Sequence, residues 1–159
     1  MCGICGFVSR NEISRETLKK MNDTMFHRGP ENSGEEVFLA AGRYVGLAQR
    51  RLAIIELSEL GHQPMHSHDK SISIVFNGEI YNFKELREEL DYPFISQSDT
   101  EVVIAAFLKW GIDCLSRFNG MFAIALYDHR DETLYLARDR IGKKPLYYWF
   151  ENGNLVFRP

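Results

Sequence analysis

Short runs of strand character recur from one end of this chain to the other, and they leave few folds open to it. They fall at residues 3–8, 36–39, 44–48, 52–55, 71–76, 121–127, 133–137, 146–150 and 155–157, bounded by Gly, Asn, Asp and Pro. Helical signals are few. Ser14 is placed to N-cap a helix with Leu18, Met21 and Met25 on one face, which His27-Arg28-Gly29-Pro30 then breaks. Asn82 with Glu85 has the capping-box spacing for a helix burying Phe83, Leu86 and Leu90. Ser98 with Glu101 makes a second such box, opening an apolar helix to Trp110 that stops at Gly111. Many strands joined by hairpins, with few helices, predict an α+β layered fold of antiparallel sheets. Residues 56–70 read as a polar loop, and Asn77-Gly78 as a turn signal after residues 71–76. The 159 residues suit one domain with a sizeable core, without repeats or an internal linker.

Charge narrows the partners. A net charge of −3 supplies no basic field for nucleic acid or an anionic membrane. No apolar run approaches the roughly 20 residues of a membrane span, and the start lacks the basic leader of a signal peptide. Three cysteines, an odd number without disulfide-framework spacing, point to a reducing, cytoplasmic setting.

Candidate chemistry begins at Cys2. A small residue after the initiator favours loss of Met1, which would leave a thiol and a free α-amine on one residue. Their unperturbed pKa values, ~8.5 and ~7.7–8.0, match nucleophile to base near neutral pH. Cys2 and Cys5 also spell C-x-x-C, and a free Cys is commonly a buried apolar residue. Arg51, placed at the start of the run 52–55, is either a solvated strand end or a clamp for a substrate carboxylate. Asn77 and Gly78 are either a hairpin turn or a pair of donors, side-chain amide and backbone N–H, for an oxyanion. Asp99, one residue into a helix, suits the helix dipole and could equally grip an ammonium group. His62, His66 and His68 with the cysteines fit no standard zinc spacing and read as a solvated loop, so no metal is expected.

Together these residues carry a resemblance. Met1-Cys2-Gly3-Ile4, His27-Arg28-Gly29-Pro30-Glu31, Arg51-Leu52-Ala53-Ile54-Ile55, Asn77-Gly78-Glu79-Ile80-Tyr81-Asn82 and Ser98-Asp99-Thr100-Glu101 closely resemble the glutaminase domain of glutamine-hydrolysing asparagine synthetases. So do Asn119-Gly120-Met121-Phe122-Ala123 and the blocks Ala137-Arg138-Asp139, Gly142 and Lys144-Pro145-Leu146-Tyr147-Tyr148. The blocks keep the family's order across nearly the whole chain.

The resemblance implies an N-terminal-nucleophile hydrolase fold, a four-layer α/β/β/α sandwich, over a type 2 glutamine amidotransferase domain at residues 1–159. It implies that Cys2 attacks the glutamine amide to give a thioester, with Asn77 and Gly78 as the oxyanion hole. Arg51 would bind the α-carboxylate, Asp99 and Glu79 the α-amine, and Leu52, Ile54 and Ile55 would line the pocket. Ammonia would serve asparagine synthesis on a synthetase domain absent from this chain, and ATP and Mg would bind only there, so the glutaminase needs no cofactor. A homodimer of the full-length protein is compatible with the resemblance. Glu31 stands where the family usually has Asp, and the Ser-Gly-Gly-x-Asp-Ser pyrophosphate loop is missing. Other readings are a different class II amidotransferase, the glutaminase domain of an asparagine-synthetase-like amidotransferase, and a truncated non-catalytic module that keeps the fold.

Overall fold

The computed structural model describes residues 2–52, 56 and 58–159. Its first sheet has the strand order β2-β3-β1-β9-β8, built from β1 (Gly3–Ser9), β2 (Asn32–Ala40), β3 (Arg43–Arg51), β8 (Tyr147–Glu151) and β9 (Asn154–Arg158). The second is a meander of β4 (Met65–His66), β5 (Ile72–Ile80), β6 (Gly120–Asp128) and β7 (Thr133–Arg138). Every described pairing is antiparallel.

Strand alternation sorts the side chains into layers. Ile4, Val45, Leu47 and Phe157 of the first sheet meet Val75, Ala123, Ala125 and Tyr127 of the second, forming the central core. Cys5, Phe7 and Ala48 face the other way and pack on Leu18 of α1 (Arg15–Asp23) and on Met25. On the far side, Ile72, Ile74, Phe76, Phe122, Ile124 and Leu126 pack against α3 (Asp99–Trp110), with α2 (Phe83–Glu89) and α4 (Cys114–Arg117) alongside. Because β5 and β6 are covered on both faces, their sequences read as nearly continuous apolar runs. The molecule is an α+β sandwich of four layers, helix–sheet–sheet–helix, consistent with the N-terminal-nucleophile hydrolase fold.

Several local expectations are corrected. Asn77-Gly78 is no turn: both residues lie inside β5, opposite Ala123 and Phe122. Arg51 is the last residue of β3, and Leu52 is outside any strand; residues 53–55 of that expected run lie outside the described residues. The loop 56–70 contains a 3-10 turn at Glu59–Gly61 and the edge strand β4. Helix α1 ends at Asp23, so Met25 belongs to the turn that follows. Neither capping box closes. Asn82 makes no side-chain cap and instead donates to Arg117 O while accepting from Asn119 N. Ser98 does cap α3 through Thr100 N, but Glu101 turns to Ile95 N and to Ser96 N and Oγ. No described helix is long and apolar enough to cross a membrane.

Candidate active site

One cleft at the end of the two sheets collects residues from four separated segments. Cys2, Arg51, Leu52, Gly78, Glu79 and Asp99 line it together. Asn77 sits beside it in β5, 1% exposed. Ile54 and Ile55 lie outside the described residues.

Cys2 enters just before β1, whose pairing with β3 brings it against the end of that strand. Its Sγ accepts from the Leu52 N–H at 3.3 Å and lies 3.5 Å from the Leu52 carbonyl. Arg28 Nε donates to the Cys2 carbonyl at 3.2 Å. Gly29 follows so closely on β3 that an added Cβ would lie 2.6 Å from backbone atoms of Arg50 and Arg51. The His27-Arg28-Gly29-Pro30 block, read in sequence as a helix breaker, is therefore also the bracket that seats Cys2 and the end of β3. Cys5, the other half of C-x-x-C, is buried under α1, and that burial pushes its thiol up to about 12. It does not share the cleft.

Arg51 is buried, and its guanidinium donates to the backbone carbonyls of Ser58 (3.1 Å) and Glu56. Arg has five N–H donors, so two carbonyl contacts orient the fork and leave capacity for a carboxylate. Glu56 is a site residue that sequence reasoning missed, having placed it in a polar loop. Its carboxylate accepts from Gln97 N at 3.0 Å and from Ser58 N and Oγ at 3.0 and 2.7 Å. These bonds, that of Gln97 first, hold it down to about 2.

Asp99 Oδ2 accepts from Ile80 N at 3.0 Å. The side chain is only 5% exposed, and burial, aided by the Glu79 charge, pushes its carboxyl up to about 6 against the opposing bonds from Ile80 and Thr100 N–H. The start of a helix favours the ionised form of Asp99, but desolvation outweighs that effect on the pKa. At neutral pH it is still mainly a carboxylate.

Asn77 Nδ2 is buried, and among the described residues it has no hydrogen-bond partner. A buried donor left unpaired is costly, on the order of 1–3 kcal/mol, and such atoms in folded proteins call for an explanation. Gly78 is required for packing as well as access, since a Cβ there would sit 2.2 Å from the Met121 carbonyl oxygen. Gln49, Gln63, Ser98 and Thr100 also line the cleft. Gln49 and Gln63 are buried polar residues whose part in the site has no motif to announce it.

The three expected loop histidines do not converge. His66 faces Glu36 at 3.1 Å and Ser73 at 3.0 Å, whereas His68 contacts Pro93 O at 2.9 Å. His62 approaches Gly34. Among the described residues no group of three or more His, Cys, Asp or Glu is arranged to hold a metal ion.

Chemically, the cleft offers a thiol, an N–H at the sulfur, a guanidinium and three carboxylates, that of Glu56 already engaged by Ser58 and Gln97, with the Asn77 amide beside them. That set complements a small molecule carrying one carboxylate, one ammonium and one carbonyl to be attacked.

Comparison with known proteins points the same way. A family model described as a glutamine amidotransferase domain matches residues 1–158. Glutamine-hydrolysing asparagine synthetase 1 of Bacillus subtilis is 40% identical over 165 residues, covering 99% of this chain and 25% of its own length. Glutamine-hydrolysing asparagine synthetase 3 of Arabidopsis thaliana is 38% identical over 162 residues, covering 99% of this chain and 27% of its own. The amidase chry2 of Gibberella zeae is 35% identical over 170 residues, covering 98% of this chain and 25% of its own. The chain thus spans no more than about a third of the length of the curated relatives it matches.

Proposed function

The chain belongs to the glutamine amidotransferase domain family, and we propose from that premise that it hydrolyses the side-chain amide of glutamine with Cys2 as nucleophile. The reading rests above all on one observation: Cys2, Arg51, Gly78, Glu79 and Asp99, far apart in sequence, line a single cleft.

In this reading Met1, which lies outside the described residues, is removed, and the freed α-amine of Cys2 takes the thiol proton through a water molecule. Glutamine binds with its α-carboxylate on Arg51 and its α-ammonium between Asp99 and Glu79. The sulfur bonds to the amide carbon, and the carbonyl electron pair moves onto oxygen. Asn77 Nδ2 and the Gly78 N–H receive that oxyanion, and the Asn77 donor acquires the partner it lacks among the described residues. The Leu52 N–H, already 3.3 Å from Sγ, favours the anionic sulfur before attack. Collapse of the tetrahedral adduct expels ammonia, which carries away the proton the amine had taken. A thioester remains, and water attacks it, releasing glutamate and restoring the thiol.

Ammonia then serves an ATP-dependent synthetase of the kind named among the relatives, with asparagine as the first candidate product. ATP and Mg belong to that partner activity and not to this cleft. The relative named as the amidase chry2 makes a different acceptor the second candidate. The test is to incubate the purified chain with glutamine and measure glutamate and ammonia in equal amounts. Alkylation of Cys2 abolishes both if the reading holds; turnover that survives complete alkylation rules out Cys2.

A further inference from the structure

We propose that Gln49 and Gln63 are positioning residues for the oxyanion site, capping the backbone of Phe76 so that the Gly78 N–H alone is left facing the cleft. The inference rests on the reading of Gly78 as an oxyanion donor, and it assigns a task to two side chains that carry none of the chemistry.

Within an antiparallel pair, residues alternate between exchanging backbone hydrogen bonds with the partner strand and pointing theirs away from it. Gly78 lies opposite Phe122. Phe122 turns both its backbone groups away from β5: its N–H donates to Asp139 Oδ2 at 3.2 Å and its carbonyl accepts from Asp139 N at 2.8 Å. Gly78 is therefore at a position whose own N–H and C=O face outward from β6, as do those of Phe76 and Ile80.

On that outward side β4 pairs only as far as Met65 opposite Ile74, and beyond it the edge of β5 is open. The N–H groups of Phe76 and Ile80 are nevertheless each taken by a side chain. Phe76 N donates to Gln63 Oε1 at 2.6 Å, and Phe76 O accepts from Gln49 Nε2 at 2.8 Å. Ile80 N donates to Asp99 Oδ2 at 3.0 Å. Gly78 stands midway between these two anchored residues, and among the described residues its N–H takes no partner.

Both glutamines are fixed in turn. Gln63 Nε2 donates to Thr100 Oγ1 at 3.1 Å, tying the edge to the start of α3 beside Asp99. Gln49 belongs to β3, and its carbonyl accepts from Asn22 Nδ2 at 3.0 Å, tying the edge to α1. Each side chain is at most 5% exposed. A longer β4 would satisfy Phe76 just as well, but its next residues would also occupy the Gly78 N–H. Two side-chain amides cap one residue and leave the N–H of the next outward-facing residue vacant among the described residues.

The test uses the chain beginning at Cys2 and its Gln49→Met and Gln63→Met variants, which keep side-chain length and remove the amide. A donor displaced by a fraction of an ångström predicts a kcat for glutamine lower by about tenfold to hundredfold, with KM within about twofold. Glutamate γ-semialdehyde, which Cys2 converts to a tetrahedral adduct, should lose affinity by a similar factor while glutamate does not. A raised KM with unchanged kcat, or unaltered semialdehyde affinity, would overturn the proposal.

Amide hydrogen exchange checks the edge without any catalysis. The Phe76 N–H should exchange slowly and the Gly78 N–H rapidly in the unaltered chain, and Phe76 should become fast in Gln63→Met. A Gly78 amide as protected as that of Phe76 also overturns the proposal. Lack of glutaminase activity in the unaltered chain would instead remove the functional reading, and the exchange rates judge the edge arrangement in either case.

Discussion

Asn77 and Asp99 each sit in the free protein at some cost to stability, as residues held ready for a ligand do. Asn77 Nδ2 has no partner to lose among the described residues, so Asn77→Ala should leave the thermal unfolding midpoint nearly unchanged. The same change should lower kcat by roughly 10²–10³, the usual effect of removing one oxyanion donor. Parallel unfolding and steady-state measurements separate the two effects. For Asp99 the sign follows from its raised pKa, about 6 against an ordinary 3.8. The folded state holds that proton more tightly than the unfolded one, so the contribution is favourable at low pH and fades as pH rises through about 6. Asp99→Asn, which can still accept from Ile80 N, should therefore stabilise the protein at pH 7 by on the order of 2–3 kcal/mol. The gain should vanish near pH 4 in pH-dependent denaturation. Glutamine KM should rise steeply in that variant, and in the unaltered chain it should rise as pH falls below about 6.

At the scale of elements, the sequence was most readable where one local rule acted alone. Ser14 and Ser98 are helix caps as their spacing suggested, each accepting from a backbone N–H of the first turn. Ser98→Ala should lower stability by about 1 kcal/mol, read from denaturant midpoints, and loosen the start of α3 that carries Asp99. Reading failed where two rules competed. Asn77-Gly78 has turn chemistry, but the register of β5 on β6 and the close approach to Met121 draw it into the strand. Glu85 and Glu101 had box spacing, yet Glu101 finds three donors in the preceding loop and Asn82 bridges to the segment before β6. Glu56, Gln49 and Gln63 were not legible at all. Their importance depends on where β4 stops and on where residues 58 and 97 come to lie, neither of which has a local signature.

For the whole molecule, the hairpin-linked strand runs implied layered antiparallel sheets, and the four-layer arrangement came only with the family resemblance. Closure of the two sheets over Ile4, Val75 and Phe157 brings Cys2 and Gly78, from different sheets, to the same cleft. The site is thus a product of the tertiary fold, and Gly29 shows how little slack it has. Gly29→Ala would drive a methyl into the backbone of Arg50 and Arg51, so it should destabilise the protein by more than about 2 kcal/mol and reduce thermal stability and glutamine turnover together. The central claim concerns a free amine on the nucleophile itself. It is tested most directly by preparing the chain in two forms, one beginning at Cys2 and one retaining Met1, verified by intact mass, and measuring glutamate release from glutamine. The form that begins at Cys2 should turn glutamine over, and an equally folded form that keeps Met1 should show none above background. Equal turnover by both forms, or none by either, would contradict that claim.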